Sequence, residues 1–335
     1  MNKFKKLAVS ALGASLAATS ANALDITVSG GSEVGYQWSS GNYDSAGSAN
    51  AFGAASDIDF SGSGELDNGW TVSTVYGSKA SWALSSANVT IDTGSMGKFR
   101  VNRLGAAASN GNDDILPTAW EEANDQSGHA TRGMDVADDL TSGSLSYISP
   151  SFDFGGGTVS FTLDYDSAPG TAGGDPGASV SRTSATGSGS AWGIKMTHSG
   201  ITVVGAQSTV ESEAKSGAND KVSSMGQIIY SAGPVSVGYG EWETNEKDGA
   251  ADYTASGFGV SFNVNDDLSV SYGELTDTRE AIGKTAGLDT DMQSMQVAYS
   301  MGSMSIKAKR VETDNPYHTS SKSEENSEIS LSFSF

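Results

Sequence analysis

The sequence predicts an all-β chain: a transmembrane antiparallel β-barrel of sixteen strands, with one long loop folded into its lumen. Three observations carry this expectation. Many segments alternate apolar and polar residues with a period of two, as strands with one apolar and one polar face do. The links between them alternate between tight turns and long polar loops, the asymmetry of outer-membrane barrels. The chain opens on an export signal, yet no later apolar run approaches the roughly 18 residues that a spanning helix needs. An exported chain that spans lipid without such a helix must close into a barrel, because only helices and closed barrels satisfy every backbone group there.

The export signal is read from residues 1–23. Lys3, Lys5 and Lys6 form a positive start, 7–18 a short apolar stretch, and Ala21-Asn22-Ala23 the small-x-small cleavage pattern. Residues 24–335 are then the mature barrel. Among the 335 residues there is no cysteine, which excludes a disulfide scaffold and thiolate chemistry. With 19 Lys+Arg against 40 Asp+Glu the net charge is -21, which argues against nucleic acid as a partner. Hydrophobic residues make up 37%, low for one large solid core but natural where half of each strand faces water.

Taken in order, strand patterns cover 25–39, 53–65, 70–78, 86–94 and 98–103. Ile58 and Phe60 share one face of the second, Asp57 and Asp59 the other. Asp67-Asn68-Gly69 and Gly94-Ser95-Met96-Gly97 are tight-turn signals. After a long interruption the patterns resume at 143–150, 158–166, 190–198, 201–211, 221–231, 235–244, 252–263, 268–277, 290–300, 303–313 and 326–335, with 151–156 read as a turn. The lipid-facing set follows from parity: Val235, Val237 and Tyr239; Phe258, Val260 and Phe262; Leu268, Val270 and Tyr272; Met295, Val297 and Tyr299. Sixteen candidate strands result. A soluble sandwich rarely needs so many, and a β-helix should show a fixed short repeat, which is not found. The interruption, about 104–141, is too long for a structureless link in a compact domain unless it is functional.

The chain ends on a strand with Ile329, Leu331, Phe333 and Phe335 on one face and serines on the other. In this it resembles the Gram-negative outer-membrane porins, whose last residue is typically Phe. Gly97-Lys98-Phe99-Arg100-Val101-Asn102-Arg103 looks like the strand before the porin constriction loop, although Asn102 stands where those porins often carry Gly. Ser144 to Phe152 resembles the porin segment with a Tyr-x-Ser-Pro core. The resemblance implies that 104–141 is the third loop, folded inward, and commonly a homotrimer. It also implies recognition of Phe335 by the barrel-assembly machinery, and outer-membrane lipid as the surroundings. The expected function is a water-filled channel for passive diffusion of small hydrophilic solutes and ions, without enzymatic activity.

In such a channel the narrowest zone selects, through charged side chains facing one another. The loop candidates are Asp113, Asp114, Glu121, Glu122 and Asp125. Parity supplies the wall: Arg100 points inward if Phe99 and Val101 point out, Lys195 if Ile194 and Met196 do, and Lys307 and Lys309 if Ile306 and Ala308 do. Arg103 closes its strand and could reach either way. The acidity predicts cation preference. No cofactor is expected; carboxylates suit Ca²⁺, but no D-x-D-x-D-G loop is present. His129, His198 and His318 lack metal spacing, and no nucleophile elbow or phosphate loop appears. The alternatives are a secreted or surface-layer β-protein without channel activity and, less favoured, a barrel hydrolase.

Overall fold

The computed structural model describes residues 25–43, 50–79, 83–125, 131–141, 143–169, 186–212, 220–245, 252–280 and 287–335. The export signal read at 1–23 lies outside them, as does His129. The wall begins with β1 (Asp25–Gly41), β2 (Ala51–Glu65), β3 (Thr71–Ser78), β4 (Leu84–Asp92) and β5 (Lys98–Leu104). The long loop follows, and then β6 (Leu145–Ile148), β7 (Phe152–Phe154), β8 (Gly157–Asp166), β9 (Thr186–His198), β10 (Ile201–Ser212), β11 (Lys221–Ala232) and β12 (Val235–Asn245). The wall ends with β13 (Asp252–Asn263), β14 (Leu268–Glu280), β15 (Leu288–Met301), β16 (Met304–Asp314) and β17 (Ser323–Ser334).

Every strand pairs antiparallel with its neighbours, and β17 pairs with β1, so the sheet is closed. At the seam Phe335 and Gly30 exchange backbone hydrogen bonds of 2.9 and 3.0 Å. The Phe335 ring lies against Gly30, where an added Cβ would stand 3.0 Å from Cε2. The seventeen segments make sixteen staves, because β6 and β7 both pair with β8. Residues 151–156, expected as a turn, therefore hold the second half of a stave. Pro150 is the cause: it has no N–H to give the ladder. Between the pairs Ile148↔Thr162 and Phe152↔Val159 this stave carries one residue more than its partner, a bulge bridged by Ser149 N donating to Phe161 O at 2.9 Å.

The pattern of burial is inside out. Val235, Val237, Tyr239, Phe258, Phe262, Val270, Met295, Val297 and Tyr299 all stand exposed, on the face parity assigned to lipid. Phe99, Val101, Ile194, Met196 and Ile306 do the same. Their polar or small neighbours in sequence turn inward. Among the described residues the buried apolar cluster lies inside the barrel, where Met134, Val136, Ala137 and Leu140 of the long loop meet Val204, Met225, Trp242, Leu275 and Met292 of the wall.

The turn before β5 is fixed by two glycines, Gly94 (φ 70°) and Gly97 (φ 89°). A Cβ on Gly97 would stand 2.5 Å from Ile148 O, on the stave that frames the loop, whereas one on Gly94 would meet nothing within 4 Å. Gly94→Ala should thus lose only the left-handed penalty, about 1–2 kcal/mol. Gly97→Ala should lose clearly more, read as a lower denaturant midpoint of the folded band in detergent; equal midpoints for the two variants would refute the steric account.

Candidate pore constriction

The loop between β5 and β6 leaves the wall through a hydrogen-bonded neck. Gly105 N donates to Thr141 O at 2.9 Å, Asn102 N to Ser144 O at 2.9 Å, and Gly143 N to Asn102 O at 2.8 Å. Asn102 is buried and donates its side-chain amide to Ser144 Oγ and Ala106 O. Arg100 Nη2 also donates to Ala106 O, at 3.0 Å. Two inward residues of β5, Arg100 and Asn102, thus hold the start of the loop.

From there the loop follows the inner wall from β8 to β16 rather than hanging free. The N–H groups of Ala108 and Ser109 each donate 2.9 Å bonds to the two oxygens of Asp164 on β8. Gln227 on β11 donates from Nε2 to Asn112 O and Asp113 O at 2.8 and 2.6 Å. Gln296 on β15 grips the tip. Its Oε1 accepts from Thr118 Oγ1 and from the N–H groups of Trp120 and Glu121, and its Nε2 donates to Glu121 O. Ala119 N donates to Ser271 Oγ on β14. On the returning leg Ala137 N donates to Ser208 Oγ, and Lys221 pairs with Asp135 and Asp139 at 2.9 and 3.1 Å. Net worth per such bond is about 1 kcal/mol, so the seat is strong only as a set.

Glycines at inward wall positions make room for this path. An added Cβ on Gly193 would stand 2.5 Å from Asn112 Nδ2, on Gly238 2.6 Å from the Pro117 ring, and on Gly259 2.6 Å from Pro117 O. Glycine inside a strand marks a place where another backbone comes close, and these positions alternate with the lipid-facing residues of the same strands.

The sequence-predicted site residues separate into distinct roles. Asp113 does not present a charge to the lumen: it is 3% exposed and accepts from Trp242 Nε1 at 3.1 Å. Burial, and the nearby charges of Asp114 and Asp138, push its pKa up to about 9, so it is a neutral anchor at pH 7. Asp114 and Glu122 make no ion pair among the described residues, and Asp114 is open to the lumen. Crowding by the loop, then the charges of Glu122 and Asp125, raise Asp114 to about 6. Glu121 and Asp125 both pair with Lys309, the latter at 3.2 Å. Lys307 and Lys309 lie over the Trp120 ring at 5.2 and 4.7 Å. Lys195 faces the lumen two residues from Gly193, toward the turn and off the loop's path. Arg103 is exposed and makes no contact with the loop's carboxylates among the described residues. A bulge between the pairs Ala87↔Leu104 and Asn88↔Asn102 leaves it without a partner across the ladder.

Sequence reasoning missed Gln227, Trp242, Gln296, Asp164 and Lys221. Their inward parity is readable, but not that the loop would reach them. It also missed as site residues Glu33 on β1 and Asp57 and Asp59 on β2, which share the inward parity.

Over residues 8–333 the chain matches the family described as Gram-negative porin. The chain belongs to that family. It is thus an outer-membrane channel protein, and the closed barrel with an inward loop is that of solved porins. A porin refined at 1.8 Å resolution is 17% identical, with 93% of this chain and 100% of that chain covered and a TM-score of 0.65. OmpF of Salmonella typhi, solved with daunomycin, is 15% identical over 93% and 98%, with a TM-score of 0.68. The anion-selective porin from Comamonas acidovorans is 12% identical over 93% and 100%, with a TM-score of 0.66. No curated relative matches this porin by sequence.

The neutral anchor carries a pH dependence. Asp113 has a folded-state pKa of about 9 against 3.8 when unperturbed, so its contribution is full below about pH 4 and is lost as pH rises through about 9. In Asp113→Asn that dependence should vanish, measured as hydrogen exchange of residues 109–117 against pH; parallel profiles for variant and wild type would rule the anchor out.

Proposed function

We propose that this porin passes small hydrophilic solutes and ions passively and prefers cations. One observation carries the reading: among the described residues the inward carboxylates that make no ion pair outnumber the inward basic candidates that make none, Arg100, Lys195 and Lys307. Asp114 and Glu122 stand on the loop, and Glu33, Asp57 and Asp59 at inward positions of β1 and β2. Of the basic candidates, Lys309 is buried in ion pairs, Arg100 is bound to Ala106 O and Lys307 lies over the Trp120 ring, which leaves Lys195 open to the lumen. A lumen of one sign raises the local concentration of the opposite ion. The anion-selective relative supports assigning ion sign to charge placement, since it shares the fold.

His318 gives an enzymatic reading no support. His318 sits between Asp277 Oδ2 (3.4 Å) and Thr290 Oγ1 (3.4 Å), but Thr290 and Asp277 are wholly buried and Thr290 Oγ1 donates to Asn315 O. This cluster pins the last loop to the wall and offers a substrate no access.

We also propose that the porin is a homotrimer. OmpT of Vibrio cholerae is described in a trimer form, and the β1–β2 face here exposes Ile26 and Phe52 at 75% and 87%, with Phe335, whose ring lies against Gly30 of β1, at 71%. The mass of the detergent-extracted protein checks this, and a monomer mass would reject it.

Bilayer recording across a KCl gradient should give a reversal potential of cation sign. The preference should fall as pH drops through about 6, where Asp114 gains a proton, and Asp114→Asn should flatten most of that step. A reversal potential of anion sign would overturn the reading.

A further inference from the structure

The last loop runs between β16 and β17 and carries a short helical turn, Pro316–His318. Four of its residues that are not glycine stand in the left-handed region: Asn315 (φ 51°), Tyr317 (φ 53°), His318 (φ 53°) and Ser321 (φ 61°). Asparagine takes up that conformation readily, whereas tyrosine and histidine are strained by it. Such backbone persists only where the surrounding structure dictates it. A loop that merely joined two strands would have no need of it.

The surrounding structure is a socket on the inner wall. His318 Nδ1 donates to Leu288 O of β15 at 2.8 Å, and His318 N to Thr290 Oγ1 at 3.3 Å. Thr290 Oγ1 in turn donates to Asn315 O at 2.8 Å. The imidazole stands 5.8 Å from the Tyr253 ring of β13, and its Nε2 lies 3.4 Å from Oδ2 of Asp277 on β14. The other end of the loop is tied to Asn42, just past β1. Asn42 Nδ2 donates to Ser321 O at 3.3 Å and Asn42 Oδ1 accepts from Ser323 N at 2.7 Å. Asn42 O accepts from Lys322 Nζ at 2.9 Å.

Asp277 is wholly buried, and the third loop rests on it as well. An added Cβ on Gly133 would stand 3.1 Å from Asp277 Oδ1 and 2.9 Å from the Ala255 Cβ. Thr244 Oγ1 of β12 donates to Gly133 O at 3.2 Å. The last loop and the returning leg of the third loop therefore close on one carboxylate. Two groups pressed on the same buried side chain do not move independently, because a close-packed interior has no slack to absorb the shift.

We propose that His318 is a positioning residue for the constriction: the last loop is a strap whose imidazole, through Asp277, fixes the returning leg of the third loop at 131–137. The strap holds the leg whichever ion sign the channel favours, so the reversal potential above does not bear on it.

The test is hydrogen exchange of the detergent-extracted porin, with single-channel current in a bilayer as the second readout. His318→Ala should speed exchange at 131–137 about fivefold or more, the scale of one lost hydrogen bond. Residues 106–112, which β8 and β11 hold, should exchange as in wild type. Open-channel current noise should rise as well, since the narrow zone then fluctuates. His318→Gln keeps a side-chain donor and is the milder change. It should move both readouts in the same direction, and it carries the test should His318→Ala not fold. Asn42→Ala loosens the strap at its other end without touching Asp277. There exchange at 315–323 should rise while 131–137 stays as in wild type. Wild-type exchange at 131–137 in the His318 variants would overturn the proposal, whether or not 315–323 loosens. So would Asn42→Ala matching His318→Ala at 131–137, since the coupling would then belong to the mouth as a whole and not to this contact.

Discussion

A backbone amide in hydrocarbon has no water to bond, and each unpaired group there costs several kcal/mol. That constraint governs this porin. It makes the last strand return to the first, with Phe335 and Gly30 completing the ladder at the seam. It turns the strands inside out, because the apolar face has to meet lipid and the polar face water. It also leaves a hollow that no packing of wall side chains fills. The buried apolar cluster exists because the third loop lies down inside that hollow, and the loop supplies Val136, Ala137 and Leu140 to it.

Laying a loop along a strand wall raises its own difficulty, since the wall's backbone groups are all spent on the ladder. The loop must bond to side chains. Two glutamines, Gln227 and Gln296, and the carboxylate of Asp164 meet its peptide groups directly. Close approach also needs missing side chains, which Gly193, Gly238 and Gly259 provide. Where a loop acid must be buried in the seat, it is kept neutral, as Asp113 is beneath Trp242. Where a wall lysine must be buried, it is surrounded by carboxylates, as Lys309 is. The same contacts that hold the loop thus decide which charges remain on the ion path. Porins of one fold can therefore differ in the sign of the ion they favour.

The wall was readable from residue order because a strand has a period of two. Once Phe99 and Val101 are assigned to lipid, Arg100 and Asn102 have only one place to go, and the same reasoning placed Lys307 and Lys309 inside. Turns were readable where glycine chemistry demands them, as at Gly94 and Gly97. The one stave misjudged, at 151–156, was split by Pro150: a proline ends a ladder locally, but the chain resumed it one residue out of register. Arg103 was undecidable from parity because a bulge falls beside it.

The order of residues by itself therefore determined a closed, hollow, acidic barrel and the segment that narrows it. It did not determine which carboxylates carry charge into the water. A loop has no period to say which way a side chain points, and Asp113 and Asp114 are adjacent in sequence. One is buried under Trp242 and the other opens to the lumen because of where β11, β12 and β15 hold the peptide groups between them. That choice belongs to long-range contacts: whether an acid is ionised depends on its desolvation and its neighbours, and both are set by strands a hundred or more residues away.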